Sequence, residues 1–134
     1  MGEYKEKLES GGSLVVNDKD WFIEYYFPGP DLRYNGSFVR IPSKSIDKYI
    51  EAWKNNFATY VKLKELLNLD KDSKFQQSGE EGMIIRIGGI AEGVFIANGW
   101  TMNVTKKERI DKIINDYENS KERAIEIQKM LKTI

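Results

Sequence analysis

The sequence predicts an α+β fold: two pseudo-repeats of antiparallel strands followed by a helix, about six or seven strands in all, with two long helices on one face. Three observations predict it. The chain repeats itself: Tyr34-Asn35-Gly36-Ser37-Phe38-Val39-Arg40-Ile41 is echoed by Ala97-Asn98-Gly99-Trp100-Thr101-Met102-Asn103-Val104, and Ile46 to Trp53 lies over Ile110 to Tyr117. Each copy joins an Asn-Gly dipeptide, the strongest short hairpin signal, to a short strand-like run. Each then passes into a stretch with apolar residues at helical spacing.

Composition bounds the rest. At 134 residues the length suits one compact domain, or two small halves sharing a core, and a chain this size buries roughly two-thirds of its unfolded surface. It has no cysteine, which excludes disulfides, thiolate metal sites and cysteine nucleophiles, and suits a reducing compartment. It has no histidine either, so the usual general base, the commonest zinc ligand and the usual physiological pH switch are all missing. Twenty-one basic residues balance twenty-one acidic ones, so any anion site must be local. The first residues carry no apolar run of signal-peptide type, and no run is long enough to span a bilayer. We expect a cytoplasmic, non-enzymatic protein with no cofactor, no metal and no membrane partner.

Residues 1–12 are charged, end in Gly11-Gly12, and read as a flexible arm. Residues 13–134 follow as one domain of two pseudo-repeats, 13–69 and 82–134, joined by a polar loop over 70–81. Ser13 to Val16 reads as an edge strand and the aromatic run Trp21 to Phe27 as a second strand, stopped at Pro28-Gly29-Pro30-Asp31. Leu32 to Tyr34 and Ser37 to Ile41 flank the Asn35-Gly36 turn. Ser43 or Ser45 caps a helix whose face carries Ile46, Tyr49, Ile50, Trp53, Phe57, Tyr60, Val61 and Leu67. In the second repeat Met83 to Ile87, Val94 to Ala97 and Trp100 to Val104 read as strands.

Thr105-Lys106-Lys107-Glu108 is a capping box that starts the last helix. Its seam is Ile110, Ile113, Tyr117, Ser120, Ala124, Ile127, Leu131 and Ile134, and the helix is about 28 residues, or ~42 Å at ~1.5 Å per residue. A sheet of six or seven strands is only about 30 Å across at ~4.8 Å per strand. Part of the helix is therefore expected to overhang, with Ile125 and Met130, and to pair with another copy in a homodimer or larger assembly. The competing reading lays the whole seam on its own chain.

Three motif matches fail on inspection. Asp70-Lys71-Asp72 with Glu81 has calcium-loop spacing, but Lys74 holds a ligand position and Phe75 replaces the turn glycine. Ser45-Ile46-Asp47-Lys48 has Ser-x-x-Lys spacing without a Lys-Thr-Gly partner. Gly88-Gly89 with Gly93 precedes a strand, whereas a phosphate loop opens a helix, so a glycine-rich hairpin or bulge is expected.

Strand parity carries the functional expectation. With helices on one face, Trp21, Ile23, Tyr25, Phe27, Val39, Ile41, Met83, Ile85, Ile87, Trp100, Met102 and Val104 point into the core. The other face then presents Phe22, Glu24, Tyr26, Arg33, Phe38, Arg40, Ile84, Arg86, Thr101 and Asn103, with Phe95 ambiguous. Three of the five arginines lie in these strands, and all sixteen lysines fall outside them. Guanidinium forks match phosphates and aromatic planes stack on bases. Phe22, Tyr26, Arg33, Phe38, Arg40, Arg86 and Asn103 are thus candidate ligand-binding residues for single-stranded nucleic acid or a small nucleotide. Two alternatives stand beside this: sequestering one nucleotide between subunits, and a protein-interaction face of inhibitor or immunity type. In that last case the arginines pair with Glu24 or with another chain.

The order strands, Asn-Gly hairpin strand, helix, given twice, resembles the PUR-repeat and whirly-type group of single-strand nucleic-acid-binding proteins. The resemblance is carried by Phe38-Val39-Arg40-Ile41-Pro42-Ser43-Lys44-Ser45-Ile46 with the first helix, and by Trp100 to Val104 with the second. It is one of arrangement over most of residues 13–134, and it implies two pseudo-symmetric sheet-and-helix units whose strand faces bind DNA or RNA. No site residue follows from it.

Overall fold

The computed structural model describes residues 2–28 and 36–133. The architecture is α+β, with seven strands in two antiparallel sheets and two α-helices among the described residues. The strands Tyr4–Lys7 (β1), Ser13–Val16 (β2), Trp21–Phe27 (β3) and Ser37–Pro42 (β4) form one sheet in the order β1-β2-β3-β4. Phe75–Ser78 (β5), Ile84–Ile87 (β6) and Gly93–Phe95 (β7) form the other, in the order β5-β6-β7. The helices are Ile46–Leu67 (α1), after one 3-10 turn at Ser43–Ser45, and Lys107–Lys132 (α2). No helix among the described residues is long and apolar enough to cross a membrane.

Packing divides the chain differently from the sequence repeat. One compact unit holds residues 1–47 and 112–134, that is, the four-stranded sheet with most of α2; the other holds residues 48–111, the three-stranded sheet with most of α1. Each sheet is therefore joined by the helix that follows the other sheet in sequence.

In the four-stranded unit, Leu14, Val16, Ile23, Tyr25, Phe27 and Ile41 are buried, as are Ile113, Tyr117, Ala124 and Ile127 of α2. The hydroxyls of Tyr25 and Tyr117 meet at 2.5 Å between sheet and helix. Residues 4–7, expected within a loose arm, form the edge strand β1, in register Tyr4↔Val16 and Glu6↔Leu14. The period of two was hidden because both faces of this strand use charge. Glu6 and Tyr4 turn inward to Arg123 of α2 (2.9 and 3.3 Å), while Lys5 and Lys7 turn outward. Gly11 and Gly12, with φ of 105° and 81°, shape the β1–β2 connection instead of ending an arm. The backbone N–H and hydroxyl of Ser10 in that connection both donate to the buried Asp116 of α2.

In the three-stranded unit, Met83, Ile85, Ile87 and Val94 are buried, with Ile50, Ala52, Trp53 and Tyr60 of α1. The stretch expected as a polar loop over 70–81 contains β5, whose Gln76 and Gln77 are exposed and whose register is Phe75↔Ile87 and Gln77↔Ile85. A mostly polar edge strand carries little apolar signal, so only Phe75 betrayed it. Asp70 closes a local turn, accepting from Asp72 N–H and the Ser73 hydroxyl at 2.9 Å each. No cluster of three or more metal-ligating side chains occurs among the described residues.

The expected strand Trp100 to Val104 is instead a 3-10 turn, Trp100–Met102, followed by a single bridge between Val94 and Val104. A two-residue Asn-Gly hairpin of the tight type needs φ > 0 at both positions. Asn98 has φ of 69°, but Gly99 has φ of −108°, and Gly99 N–H and Met102 N–H close short turns onto Ile96 and Gly99. Trp100 is therefore exposed and Met102 half-buried, where both were expected in the core. Trp21 and Val39 are likewise only half-buried. The first Asn-Gly turn and Leu32 to Tyr34 lie outside the described residues, apart from Gly36.

The α2 seam is buried at Ile110, Ile113, Tyr117, Ser120, Ala124 and Ile127 and half-buried at Leu131. Ile125 and Met130 are exposed.

Candidate functional site

The outer face of the four-stranded sheet follows from its register. Lys5↔Val15, Val15↔Phe22 and Phe22↔Pro42 make one row across the strands, and Lys7↔Ser13, Ser13↔Glu24 and Glu24↔Arg40 make the next. Tyr26↔Phe38 makes a third. Four of the predicted residues, Phe22, Tyr26, Phe38 and Arg40, thus share one face, as parity required. Lys5 and Lys7 join them, which the sequence could have shown only if the charged start had been read as a strand.

Tyr26 and Phe38 are the exposed aromatics of this face, at 55% and 56%, with ring centroids 4.9 Å apart and planes tilted by 42°. They are cross-strand neighbours with few other places to pack, because the helix side of the sheet is already filled. A Cβ on Gly36 would come within 2.5 Å of the Tyr26 ring, so the absence of a side chain there lets the ring lie against the strand entrance. Phe22 has a different part. It is half-buried, and the Arg40 guanidinium sits 5.1 Å above its ring.

Glu24 is the charged residue of the face that is out of water, only 6% exposed. Lys5 Nζ and Arg40 Nε donate to its two oxygens, each at 2.9 Å. Burial pushes its carboxyl up, but the hydrogen bonds from Lys5 and Arg40 outweigh that and hold it below the ordinary carboxylate value. The arginine–glutamate pairing weighed from sequence is therefore present within this chain. The face keeps three cations, Lys5, Lys7 and Arg40, around one anion. A cleft of about 250 Å³ opens beside them, lined by Lys5, Lys7, Gly12, Ser13, Glu24 and Tyr26 among others. This arrangement can stack a planar ring on Tyr26 and Phe38 and hold an anion near the lysines.

The remaining predicted residues are placed elsewhere. Arg86 lies on β6 of the other sheet, in register with Gln76 and Gly93, so the seven candidates do not form one sheet face. Its Nε donates to Gln76 Oε1 at 2.9 Å, and its guanidinium lies 4.8 Å from the Phe95 ring centre. Asn103 follows the 3-10 turn, and its side-chain amide donates to the Glu92 carbonyl oxygen at 2.5 Å, fastening a loop. The Glu92 carboxylate accepts from Tyr60 (2.7 Å), Lys64 (2.5 Å) and Gly88 N–H (2.7 Å). Arg33 lies outside the described residues.

No family model matches the chain, and no match was found among curated proteins or solved structures.

Proposed function

We propose that the outer face of the β1–β4 sheet binds single-stranded nucleic acid, without catalysis, with one or two bases on Tyr26 and Phe38 and phosphates on Lys5, Lys7 and Arg40. The observation that carries this is the exposed Tyr26–Phe38 pair beside three cations on one face. Aromatic stacking tolerates any base and is worth ~1–3 kcal/mol per base, and the cations add a salt-dependent component. Arg40 is suited to the phosphate role because the Phe22 ring fixes its plane before any ligand arrives.

The test is fluorescence anisotropy with short labelled oligonucleotides. Single strands should bind more tightly than the matching duplex. The slope of log K against log salt should be about −1.5 to −2, from ~0.7 per phosphate neutralised by two to three cations. Tyr26→Ala with Phe38→Ala should weaken binding by at least tenfold and leave the thermal midpoint nearly unchanged, since both rings are exposed. Equal affinity of wild type and this double variant, or a preference for duplex, would overturn the reading.

One observation favours a second reading, a protein-binding face: Glu24 draws both Lys5 and Arg40 to itself, which leaves Lys7 as the cation of the face that Glu24 does not pair. Oligonucleotide binding too weak to measure at low salt would turn the assignment to that reading. Self-association through Ile125 and Met130 on the exposed side of α2 belongs with these proposals, and sedimentation of wild type against Met130→Lys tests it.

A further inference from the structure

We infer that the three-stranded sheet carries a second, separate binding site, for a small organic anion: a phosphate or carboxylate on a flat apolar body. The site is a groove of about 590 Å³ lined by Lys74, Phe75, Gln76, Arg86, Gly89 and Ile90. That is the size range of small-molecule pockets, and its make-up is theirs too, apolar walls with a few convergent polar groups.

Its charge is one-sided. Lys74 and Arg86 line the groove and no acidic residue does. Arg86 is held on three sides: Nε by Gln76, Nη1 by the Ile90 carbonyl oxygen at 3.1 Å, and the guanidinium plane by the ring of Phe95, itself buried. The other terminal nitrogen, Nη2, and the Lys74 ammonium have no hydrogen-bond or ion-pair partner among the described residues. A guanidinium fixed in this way loses little freedom on meeting an oxyanion, and an ammonium nearby adds charge without demanding geometry.

The apolar part of the ligand is set by Ile90, with Phe75 also lining the groove. Ile90 is 81% exposed, the most exposed large apolar side chain among the described residues. It sits in a turn whose backbone is specified closely, with Gly88, Gly89 and Ala91 at φ of 73°, 72° and 61°. A Cβ on Gly88 would press on the Ser73 carbonyl oxygen at 2.5 Å, so this turn is built against the segment leading into β5. It displays Ile90 beside a cation-lined groove, where an inorganic anion would leave the isoleucine in water. An anion with an apolar body would cover it.

The experiment titrates the isotope-labelled full chain with phenyl phosphate, followed by amide chemical shifts. Saturable changes should fall at residues 74–76 and 86–90, with millimolar affinity. Arg86→Gln should weaken binding roughly tenfold, and Lys74→Gln, an exposed side chain whose loss leaves the fold intact, by about threefold. Inorganic phosphate should bind about fivefold more weakly than phenyl phosphate, and benzylamine, of similar shape and opposite charge, should give no changes at these residues. Tyr26→Ala and Lys7→Gln should leave this binding untouched, which separates it from the face of the other sheet. The inference is overturned by the absence of saturable changes at residues 74–76 and 86–90, by benzylamine binding there as phenyl phosphate does, or by Lys74→Gln having no effect. Inorganic phosphate binding as tightly as phenyl phosphate would overturn the organic character of the ligand.

Discussion

Glu24 decides how the outer face of the larger sheet works. A carboxylate removed from water is costly unless its oxygens are matched, and here Lys5 and Arg40 take one oxygen each. Because its folded-state pKa lies below the unfolded value, this group adds stability above about pH 4.3, the ordinary glutamate value, and that stability is lost as pH falls through the folded value. Glu24→Gln should therefore flatten the acid limb of stability and cost about 1 kcal/mol near neutral pH, a small loss because Lys5 and Arg40 are solvent-accessible and rehydrate. Urea midpoints from pH 3 to 7 for the two proteins check this. The same substitution releases two cations, so oligonucleotide affinity should rise; a fall would mean that Arg40 must be positioned by Glu24 to act.

Two connections hold elements in place through contacts that no local pattern announces. The β1–β2 connection is tied to α2 through Asp116, which takes both the N–H and the hydroxyl of Ser10 and is buried beside Ser120, whose hydroxyl donates to the Asp116 carbonyl oxygen at 2.7 Å. Asp116→Ala removes the acceptor from two buried donors and should destabilise by about 2–3 kcal/mol. Amide exchange should then quicken first at residues 4–7, since a four-residue edge strand has little else to hold it. The second connection is the Val94–Val104 bridge, where Gly93 has φ of 131° and a Cβ would come within 2.5 Å of the Val104 carbonyl oxygen. Gly93→Ala should cost about 2 kcal/mol or more from strain and loss of the bridge. A denaturation midpoint that does not move would show that the 93–104 segment adapts.

At the scale of the whole chain, the four-stranded sheet relies on a helix distant in sequence. The β1–β4 unit gains Ile113, Tyr117, Ala124 and Ile127 only from α2. A sheet with one apolar face does not persist without a layer to cover it. A chain ending at Asp111 should therefore lose the ordered signals of residues 4–28 and 36–42, beginning with Tyr25, whose hydroxyl meets Tyr117. Retention of native chemical shifts in β2 and β3 after that truncation would contradict this dependence. This long-range closure also predicts slow, cooperative folding of that unit, because its sheet and its helix meet only after the intervening 48–111 segment has been made.

The sequence by itself determined the α+β class, the helical face of α2 and that of α1 as far as Tyr60, beyond which the expected Val61 and Leu67 are exposed, the strands β2, β3, β4 and β6, and the parity that puts Tyr26, Phe38 and Arg40 on one face. These are local: alternation of two, a period near 3.6, and β-branched or aromatic runs act over a few residues, and the packed chain obeyed them. Other features depended on partners far along the chain. β1 is a strand because Arg123 receives Glu6 and Tyr4, and β5 because β6 offers it an edge. Segment 100–104 turns because the backbone at Gly99 closes onto Ile96, although its sequence echoes a strand. The division into two sheets, which moved Arg86 from the predicted face into a groove of its own, was set by strand pairing. Register and pairing are chosen by the energy of the whole packed unit, and a window of a few residues contains no measure of that energy.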